Sequence, residues 1–453
     1  MKKVISLLLC VAMLLSVCAL AGCGGNNGKK PTGGPGQSAD QKEEDFFLDM
    51  PAELRGTTVQ FATWIDHNKT DTAYCIAGFE ETTGMKLELV QVNQGDYVVK
   101  MTSLIAAEQS PDVVVENGDF PKTLNLLMPL EVETTGLDVN DPFWDPTIVK
   151  TFTVGKYSYL VNGTKSSWHM AGVLAYFNKT ILEENGITTP NELVAQNNWN
   201  KDSLWTLMEQ IKSSCGFSRP GTSMDFDCWM ALYGTGGTQW DTETDSFKTT
   251  LKEEKNREAI NYLMKAQDAG LLKVVRHGRD DDITKGTMAL EFTGAYGLRK
   301  SPGWFYTMDL ADLGFEVCPK WNASDEDYPY TTTYRAYGIC KGSKNPKGAA
   351  YFLRYFLNED HYQFDEIFKN QEARDMYVKL RTNAVEKKAS NPFFTLGIAR
   401  VTDANINDNN PMVADLVSGT ASQVSVNLDK AYNKCEGYVV AANKFMQDFL
   451  DNQ

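Results

Sequence analysis

The stretch YSYLVNGTKSSWHMAGVLAYFNKTILEENG, residues 157–186, decides how the rest of the chain is organised. Aromatic and apolar side chains alternate over residues 157–161, as in a half-buried strand, until Asn162-Gly163 breaks the pattern. An apolar run over residues 172–177 restores strand character, and a helix begins near Lys179. Two strands therefore bracket a polar loop that contains Trp168. We interpret this stretch as the place where the chain leaves one globular lobe and enters another, with the loop in the cleft between them.

Strand and helix patterns alternate upstream of this stretch. β-branched and aromatic residues predict strands over residues 56–65, 85–92 and 112–115, and amphipathic patterns between them predict helices over 70–83 and 96–108. A strand followed by a helix and another strand is typical of a parallel sheet with helices on its faces. Ligands of open α/β sheets lie beyond the carboxyl ends of the strands, so the loops at those ends are expected to face the cleft.

Further elements are predicted downstream. A short strand is expected over residues 283–293, and residues 315–321 form a short apolar segment. The strand pattern over 331–340 is interpreted as the return crossing between the lobes. The remaining periodic segments predict helices over residues 203–214, 256–269, 347–357, 364–380 and 431–449. The segment after Pro51 has roughly 400 residues, beyond the size at which a single hydrophobic core usually stops growing, so two lobes are expected.

The N-terminus has the pattern of an export signal. Lys2 and Lys3 precede an apolar segment over residues 4–20, which is typical of a secretory signal rather than a membrane span. It ends in Leu20-Ala21-Gly22-Cys23, which resembles the lipobox of bacterial lipoproteins, where the Cys carries the lipid. An ordinary signal peptide with a chance Cys is the alternative. We expect residues 1–22 to be a lipoprotein signal peptide, Cys23 to be lipidated, and residues 23–50, rich in Gly, Pro and charge, to be a disordered tether.

The charge balance excludes one class of partner. The chain has a formal net charge of −15, and removal of Lys2 and Lys3 with the signal would leave 42 basic residues against 59 acidic ones, a net charge of −17. Nucleic-acid binding depends on a basic surface, so we expect no nucleic-acid partner.

Cysteine and histidine spacing gives no sign of a metal or cofactor site. The six cysteines of the globular part are widely spaced, lack a CxxC pair and mostly lie in apolar surroundings: Cys75, Cys215, Cys228, Cys318, Cys340 and Cys435. Buried free thiols are the favoured interpretation, and a disulfide such as Cys215 with Cys228 is the alternative in an exported protein. The four histidines are isolated in sequence. We therefore predict neither a metal nor a cofactor.

Five stretches, in this order, resemble a known family: FEETTGMKLELV (79–90), LIAAEQSPDVVVENGDF (104–120), AGVLAYFNKTILEENGI (171–187), ITKGTMALEFTGAYG (283–297) and YGICKGSKNPKGAAYFLRYFL (337–357). The chain resembles the extracellular solute-binding proteins of ATP-driven importers, specifically the group that binds maltodextrins and other sugars. It departs from the family where Phe177 stands in place of a second Tyr, which removes one hydroxyl.

The resemblance implies an α/β, periplasmic-binding-protein-like fold with two lobes. Each lobe would be a sheet flanked by helices, with a ligand cleft between the lobes. One lobe would comprise residues 51–166 and 337–383, and the other residues 171–330 and 384–453. Residues 167–170 and 331–336 would then form the hinge.

Sugar recognition combines flat apolar faces, which stack on pyranose rings, with planar polar groups, which bond the hydroxyls. Residues of both kinds lie in the predicted cleft loops, and Asp119 and Tyr296 also match family positions. The expected ligand contacts are Trp64, Asp66, Asn117, Asp119, Trp168, Trp229, Trp240, Tyr296, Trp304 and Arg335. Each aromatic residue has the alternative of packing in the core. Asp119 has the alternative of capping a helix before Pro121, and Arg335 that of pairing with an acid across the lobes.

The implied function is capture of a carbohydrate and its delivery to an ABC permease, without catalysis. The protein would be a monomer anchored by lipid at the extracellular face of the cytoplasmic membrane. Two other interpretations stay open on the sequence. One is a secreted glycoside hydrolase, which needs two carboxylates at a defined separation in an aromatic cleft. The other is a binding protein for a peptide or another non-sugar solute, which a decisive role for Arg335 would favour if that solute were anionic.

Overall fold

The computed structural model describes residues 46–453, except 70–71, 117, 167–168, 235–236, 276–282, 300–304, 306–307, 331, 362–367, 387–415 and 417–418. Residues 69, 169–171, 296, 332–334 and 384–386 are described by their backbone alone. The chain divides into two units at Asp49 and Met50, and the architecture below is that of the second unit. The predicted signal peptide and Cys23 lie outside the described residues.

A four-stranded sheet, here called the first sheet, is built mainly from the N-terminal part of this unit. Thr58–Thr63 runs parallel to Lys86–Gln91 on one side and to Val113–Glu116 on the other. The fourth strand, Ala336–Ile339, comes from far along the chain and pairs antiparallel with Val113–Glu116. The parallel arrangement predicted for the first three strands is confirmed.

Phenylalanine rings fill the core against the first sheet. Phe61, Phe79, Phe352 and Phe356 are all buried, and their rings pack with centroids 5.2 to 5.6 Å apart. They come from a central strand and from two helices, so burial of these rings fixes the helices on the sheet.

A five-stranded sheet, the second sheet, is built from the middle of the chain. Its order is Lys273–Val275, Thr222–Asp225, Leu290–Gly294, Val173–Asn178 and Leu313–Val317. The first three strands are parallel, and Val173–Asn178 runs antiparallel to both of its neighbours.

The strand predicted over residues 283–293 is shorter than expected. Residues 283–286 form a turn, in which Gly286 adopts a φ of 69°, and the strand begins only at Leu290. A positive φ suits glycine and breaks strand geometry, so the pattern at Ile283 belongs to the turn.

Two short strands cross between the sheets. His169–Ala171 pairs antiparallel with Thr332–Tyr334, and we call this pair the crossing ribbon. The long strand predicted over residues 331–340 is therefore two strands, which are separated at Arg335. The strand predicted over 157–161 is likewise reduced: Tyr157–Ser158 pairs with Thr153–Val154, and Val161 forms an isolated bridge to Tyr337.

Helices cover the sheets. The α-helices are Ala73–Thr83, Tyr97–Ala106, Val132–Thr135, Pro146–Thr151, Lys179–Glu184, Pro190–Ala195, Lys201–Ser214, Phe226–Tyr233, Glu254–Asp268, Pro346–Phe356, Gln371–Glu386 and Val424–Leu450. The 3-10 turns are Ala52–Leu54, His67–Lys69, Gln94–Asp96, Lys122–Leu126, Ala295–Leu298, Glu359–His361 and Ala421–Gln423. A separate hairpin joins Thr238–Asp241 to Ser246–Thr249. Among the described helices, none combines the length and the apolar character that a membrane span requires.

All six cysteines of the globular part are free thiols, as the favoured interpretation of the sequence held. Five are buried, and Cys215 is partly exposed. Cys215 and Cys228, the pair considered for a disulfide, are both reduced here.

Candidate functional site

Trp64 and Arg335 meet at the carboxyl end of the first sheet. Trp64 follows the strand Thr58–Thr63 and keeps part of its surface exposed. Arg335 separates the crossing ribbon from the strand Ala336–Ile339, and its guanidinium carbon lies 4.9 Å from the centroid of the Trp64 ring. This is a cation–π contact, so an aromatic face and a fixed positive charge occupy one place.

Tyr97 packs against the Trp64 ring. The two rings meet edge to face, with centroids 5.5 Å apart. The buried Tyr97 hydroxyl donates to the carbonyl of Ala62 at 2.9 Å and accepts from the amide of Val115 at 3.1 Å. Because both bonds go to strands of the first sheet, the position of Tyr97, and through it that of Trp64, follows the sheet.

Arg335 is fixed through both its backbone and its side chain. Its carbonyl accepts a hydrogen bond of 2.8 Å from the side-chain amide of Asn162, which is fully buried. Its guanidinium donates to the hydroxyl of Tyr337. Burial lowers the pKa of Arg335, and the charge of Arg299 lowers it further. The site therefore holds a partly desolvated guanidinium in a set position.

Arg299, which follows a strand of the second sheet, lies close enough for its charge to affect groups of this site. It follows the strand Leu290–Gly294 and the turn Ala295–Leu298, and it is 9% exposed. Its charge acts on His67, Arg335 and Tyr337. Sequence reasoning missed Arg299, although it lies two residues beyond the Gly-Ala-Tyr-Gly segment that resembles a family loop.

His67 is a second residue that sequence reasoning left without a role. It is buried between the rings of Phe61 and Phe356, with centroids 5.4 and 5.3 Å away, and its Nδ1 lies 2.8 Å from Thr72 Oγ1. Burial first, and then the charges of Arg335 and Arg299, lower the pKa of His67 to about 3, while Asp66 acts in the opposite direction. His67 is therefore a neutral, structural histidine at neutral pH.

Glu116 ends the third strand of the first sheet and organises the loop that follows. Its carboxyl group accepts from the amides of Gly118 and Phe120 and from Thr123 Oγ1, the last at 2.5 Å. Burial raises the pKa of Glu116 to about 7, and the neighbouring charge of Asp119 raises it in the same direction. Asp119 itself is partly exposed. Of the two carboxylates, Glu116 is buried and Asp119 is the one in contact with solvent.

Trp229 and Trp240 are not brought to this site. Trp229 is fully buried, stacks on Tyr262 at 5.2 Å and donates from Nε1 to the carbonyl of Ala259 at 3.0 Å. Trp240 is 6% exposed and packs against Phe120 and Phe247. The structure places both rings in packed aromatic clusters, and their contact with a ligand stays a prediction.

Four other predicted contacts lie wholly or partly outside the described residues. Asn117, Trp168 and Trp304 are not described, and Tyr296 is described by its backbone alone. Their roles stay predictions. Of the expected set, the structure brings Trp64 and Arg335 into contact. Asp66 and Asp119 follow the neighbouring strands Thr58–Thr63 and Val113–Glu116 at the same end of the first sheet.

The side chains of this site are of types that suit the binding of a polar ligand. An aromatic ring offers a stacking face, guanidinium groups donate hydrogen bonds, and Asp66 and Asp119 offer carboxylate acceptors. Within the described residues, no group of His, Cys, Asp and Glu is arranged to hold a metal ion.

The fold is shared with solved structures of other proteins. The structure is similar to MalE, a sugar-binding protein from Xanthomonas citri (14% identity, 88% of this chain and 100% of that chain, TM-score 0.59). It is also similar to the galacto-N-biose/lacto-N-biose I-binding protein of an ABC transporter from Bifidobacterium longum (12% identity, 86% of this chain and 98% of that chain, TM-score 0.60). A third similar structure is UgpB from Mycobacterium tuberculosis in complex with glycerophosphocholine (15% identity, 87% of this chain and 100% of that chain, TM-score 0.58). These likenesses establish the fold and confirm the predicted two-lobed α/β class.

The family itself is established by sequence. No curated protein sequence matches this chain. The family model described as bacterial extracellular solute-binding protein matches residues 75–367, which is well over half of the chain. The chain therefore belongs to the bacterial extracellular solute-binding proteins.

Proposed function

We propose that this protein captures a carbohydrate between its two lobes and delivers it to the permease of an ABC importer, without catalysing a reaction. The observation that carries the proposal is the stacking of Arg335 on Trp64 where the chain returns through the crossing ribbon to the first sheet. A saccharide held there would meet an aromatic face, guanidinium donors and carboxylate acceptors together. MalE and the lacto-N-biose-binding protein, to which this structure is similar, are sugar-binding proteins, and this supports the same class of ligand.

The proposed mechanism is closure about a hinge formed by residues 167–170 and 331–336. The first lobe would comprise residues 51–166 and 337–383, and the second residues 171–330 and 384–453. A ligand that contacts both lobes binds the closed arrangement better than the open one, so it shifts the population toward closure. The permease would then recognise the outer surfaces of the closed lobes.

Contacts just before the crossing ribbon support this placement of the hinge. The amide of Glu359 donates to the carbonyl of Lys165 at 3.3 Å, and Arg381 Nη1 donates to the same carbonyl at 3.2 Å. Arg381 is in turn bonded to the carboxylate of Glu359, with Nη2 to Oε1 at 2.7 Å. The chain is therefore anchored up to Lys165, and rotation is expected beyond it.

The location is part of the proposal. The protein would act as a monomer at the extracellular face of the cytoplasmic membrane, where a lipid on Cys23 and a tether over residues 23–50 would hold it. Replacing Cys23→Ser should move the protein from the membrane fraction to the medium. Mass spectrometry that finds wild-type Cys23 without lipid would contradict the anchor.

The binding function is tested with the secreted part of the chain. Thermal-shift screening against sugars, peptides and amino acids should find a saccharide that raises the melting temperature, because a ligand of the native state stabilises it. Trp64→Ala should weaken binding of that saccharide at least tenfold. The matched control is Trp205→Ala, on the helix Lys201–Ser214, which should leave binding unchanged.

Two outcomes would replace this proposal. Stabilisation by a peptide with no response to any sugar would show that the ligand class is wrong. Chromatography that detects cleavage of the bound saccharide would favour the glycoside hydrolase.

A further inference from the structure

A hairpin from the part of the chain that builds the second sheet packs on residues that follow the first sheet. The hairpin, residues 238–249, lies in the chain between the helices Phe226–Tyr233 and Glu254–Asp268. The first of these helices packs on strands of the second sheet. The two helices are joined by the stacking of Trp229 on Tyr262, with ring centroids 5.2 Å apart. The hairpin therefore belongs with the second sheet.

Four buried rings join this hairpin to the first sheet, and we call them the aromatic clasp: Phe120, Phe152, Trp240 and Phe247. Phe120 follows the strand Val113–Glu116 of the first sheet. The centroid of its ring lies 5.4 Å from that of Trp240 and 5.9 Å from that of Phe247, both of which come from the hairpin. The ring of Phe152 meets Phe120 at 5.2 Å. The clasp is thus a contact between the two parts of the fold that is separate from the crossing ribbon.

The last helix fastens the hairpin and extends the same contact. It packs on the helix Glu254–Asp268 beside the hairpin. The side chain of Asn443 accepts from the amide of Phe247 at 2.6 Å and donates to its carbonyl at 2.9 Å. Near the end of the helix, the ring of Phe449 packs on Tyr159 of the predicted first lobe, with centroids 5.7 Å apart. The hairpin and the last helix therefore meet the first lobe together.

The clasp itself is an apolar contact. Trp240 is buried, and its Nε1 has no hydrogen-bond partner within the described part of the chain. Apolar contacts are non-directional, so packed rings can turn slightly against one another without losing a bond. Separating the rings would instead expose large apolar surfaces to water, which is unfavourable. A contact of this kind permits small rotations and resists opening.

Two lasting contacts between rigid bodies define the axis about which the bodies rotate, because only points on that axis stay in place. A saccharide shifts the arrangement of the lobes only by its difference in affinity for the two arrangements, so closure that keeps the clasp intact is favoured. Resting on the proposed function, we propose that the aromatic clasp is a second pivot of the hinge motion. The lobes then rotate about an axis that runs from the crossing ribbon to the clasp.

Distances between spin labels test the pivot in the secreted chain. Lys156→Cys and Glu243→Cys place one label pair at exposed positions beside the clasp. Lys86→Cys, on an edge strand of the first sheet, and Glu184→Cys, in a helix that follows a strand of the second sheet, form the comparison pair. Cys215, the partly exposed thiol of the globular part, is replaced by Ser in every protein.

Pulsed electron paramagnetic resonance measures both pairs without and with maltose. If maltose gives no thermal shift, the saccharide that raises the melting temperature most takes its place. The comparison pair should change its distance by more than about 2 Å on binding, and the clasp pair by less. Without saccharide, the clasp pair should also give the narrower distribution of distances.

Leucine variants test whether the clasp holds in solution. Phe120→Leu and Phe247→Leu should each lower the urea midpoint, and the double variant should lower it by less than the sum of the two losses, because residues in contact are coupled. The matched control pairs Phe247→Leu with Phe79→Leu, since Phe79 packs on Phe352 in the core of the first sheet. The losses of the control pair should add.

The outcomes separate this inference from the proposed function. A clasp pair that changes its distance as much as the comparison pair would overturn the second pivot and leave saccharide binding and closure standing. A bound saccharide that changes neither distance would overturn the pivot and the closure together. If no saccharide binds, the proposed function fails. Even then, a clasp pair with the broader distribution, or additive losses for Phe120 and Phe247, would overturn the clasp.

Discussion

His67 gives the sharpest stability prediction because its burial, contacts and charged surroundings are all defined. It is 2% exposed, lies between Phe61 and Phe356, and has a pKa lowered to about 3 from an ordinary 6.5. Between these two pKa values the unfolded chain binds a proton that the folded protein does not. The contribution of neutral His67 to the free energy of unfolding is therefore fully present above pH 6.5, and it decreases as the pH falls below 6.5.

The magnitude depends mainly on the unfolded pKa. Each pH unit below 6.5 costs about 1.4 kcal/mol until the folded pKa is reached, so pH 5 costs about 2 kcal/mol relative to pH 7.5. His67→Gln removes this titration. The variant loses packing at both pH values, and its deficit against wild type should shrink by about 2 kcal/mol between pH 7.5 and pH 5.

The assay is urea denaturation of wild type and variant at both pH values. A His67→Gln deficit that stays constant or grows at pH 5 would refute the reasoning, since it would show that the folded protein accommodates a protonated His67. A ring proton signal of His67 that titrates near pH 6.5 in the folded protein would refute it independently.

Three further predictions concern packing and buried charge. Gly163→Ala should destabilise the protein by about 1–3 kcal/mol or more, because the added Cβ would lie 2.3 Å from the carbonyl oxygen of Leu357. Gly437 lies in the last helix, and no atom lies within 4 Å of the Cβ that Gly437→Ala would add. This substitution should instead stabilise the protein by up to about 1 kcal/mol, because alanine favours the helix more than glycine does. A lower urea midpoint for Gly437→Ala than for Gly163→Ala would contradict this account. Glu359→Gln should cost about 3–5 kcal/mol, because it leaves the buried guanidinium of Arg381 without its charged partner; a loss below about 1 kcal/mol in the same assay would show that the pair is well hydrated.

The first sheet was predictable from the sequence because its signals are local. Alternation in residues 56–65 and 85–92, with a helix pattern between them, leaves a parallel pair as the favoured arrangement. The glycine at the end of the first long helix, Gly84, adopts the left-handed conformation with a φ of 69° that such a stop signal predicts.

The break at Arg335 was not predictable. Tyr334, Arg335 and Ala336 all suit a strand, so nothing local marks the point at which one strand pairs with the crossing ribbon and the next joins the first sheet. That division depends on pairing with residues 169–171 and with Val113–Glu116, which lie far away in the chain.

The candidate site, too, was predictable from the sequence only in part. Trp64 and Trp229 have similar chemistry, and only tertiary packing decides that one borders the site while the other is fully buried. Arg299 follows the turn Ala295–Leu298, and the effect of its charge on Arg335 depends on tertiary structure that sequence patterns do not reveal. Sequence patterns therefore predict which strand ends face a ligand better than they predict which side chains meet there.

The central claim is that a saccharide binds between the two sheets at Trp64 and Arg335. A crystal structure of the protein with a saccharide that raises its melting temperature tests this claim most directly. The account predicts density for a sugar ring in contact with Trp64, with hydrogen bonds from Arg335 and from at least one residue of the second sheet or its loops. Density for the sugar at any other place, without contact between the sugar and Trp64 or Arg335, would contradict the claim.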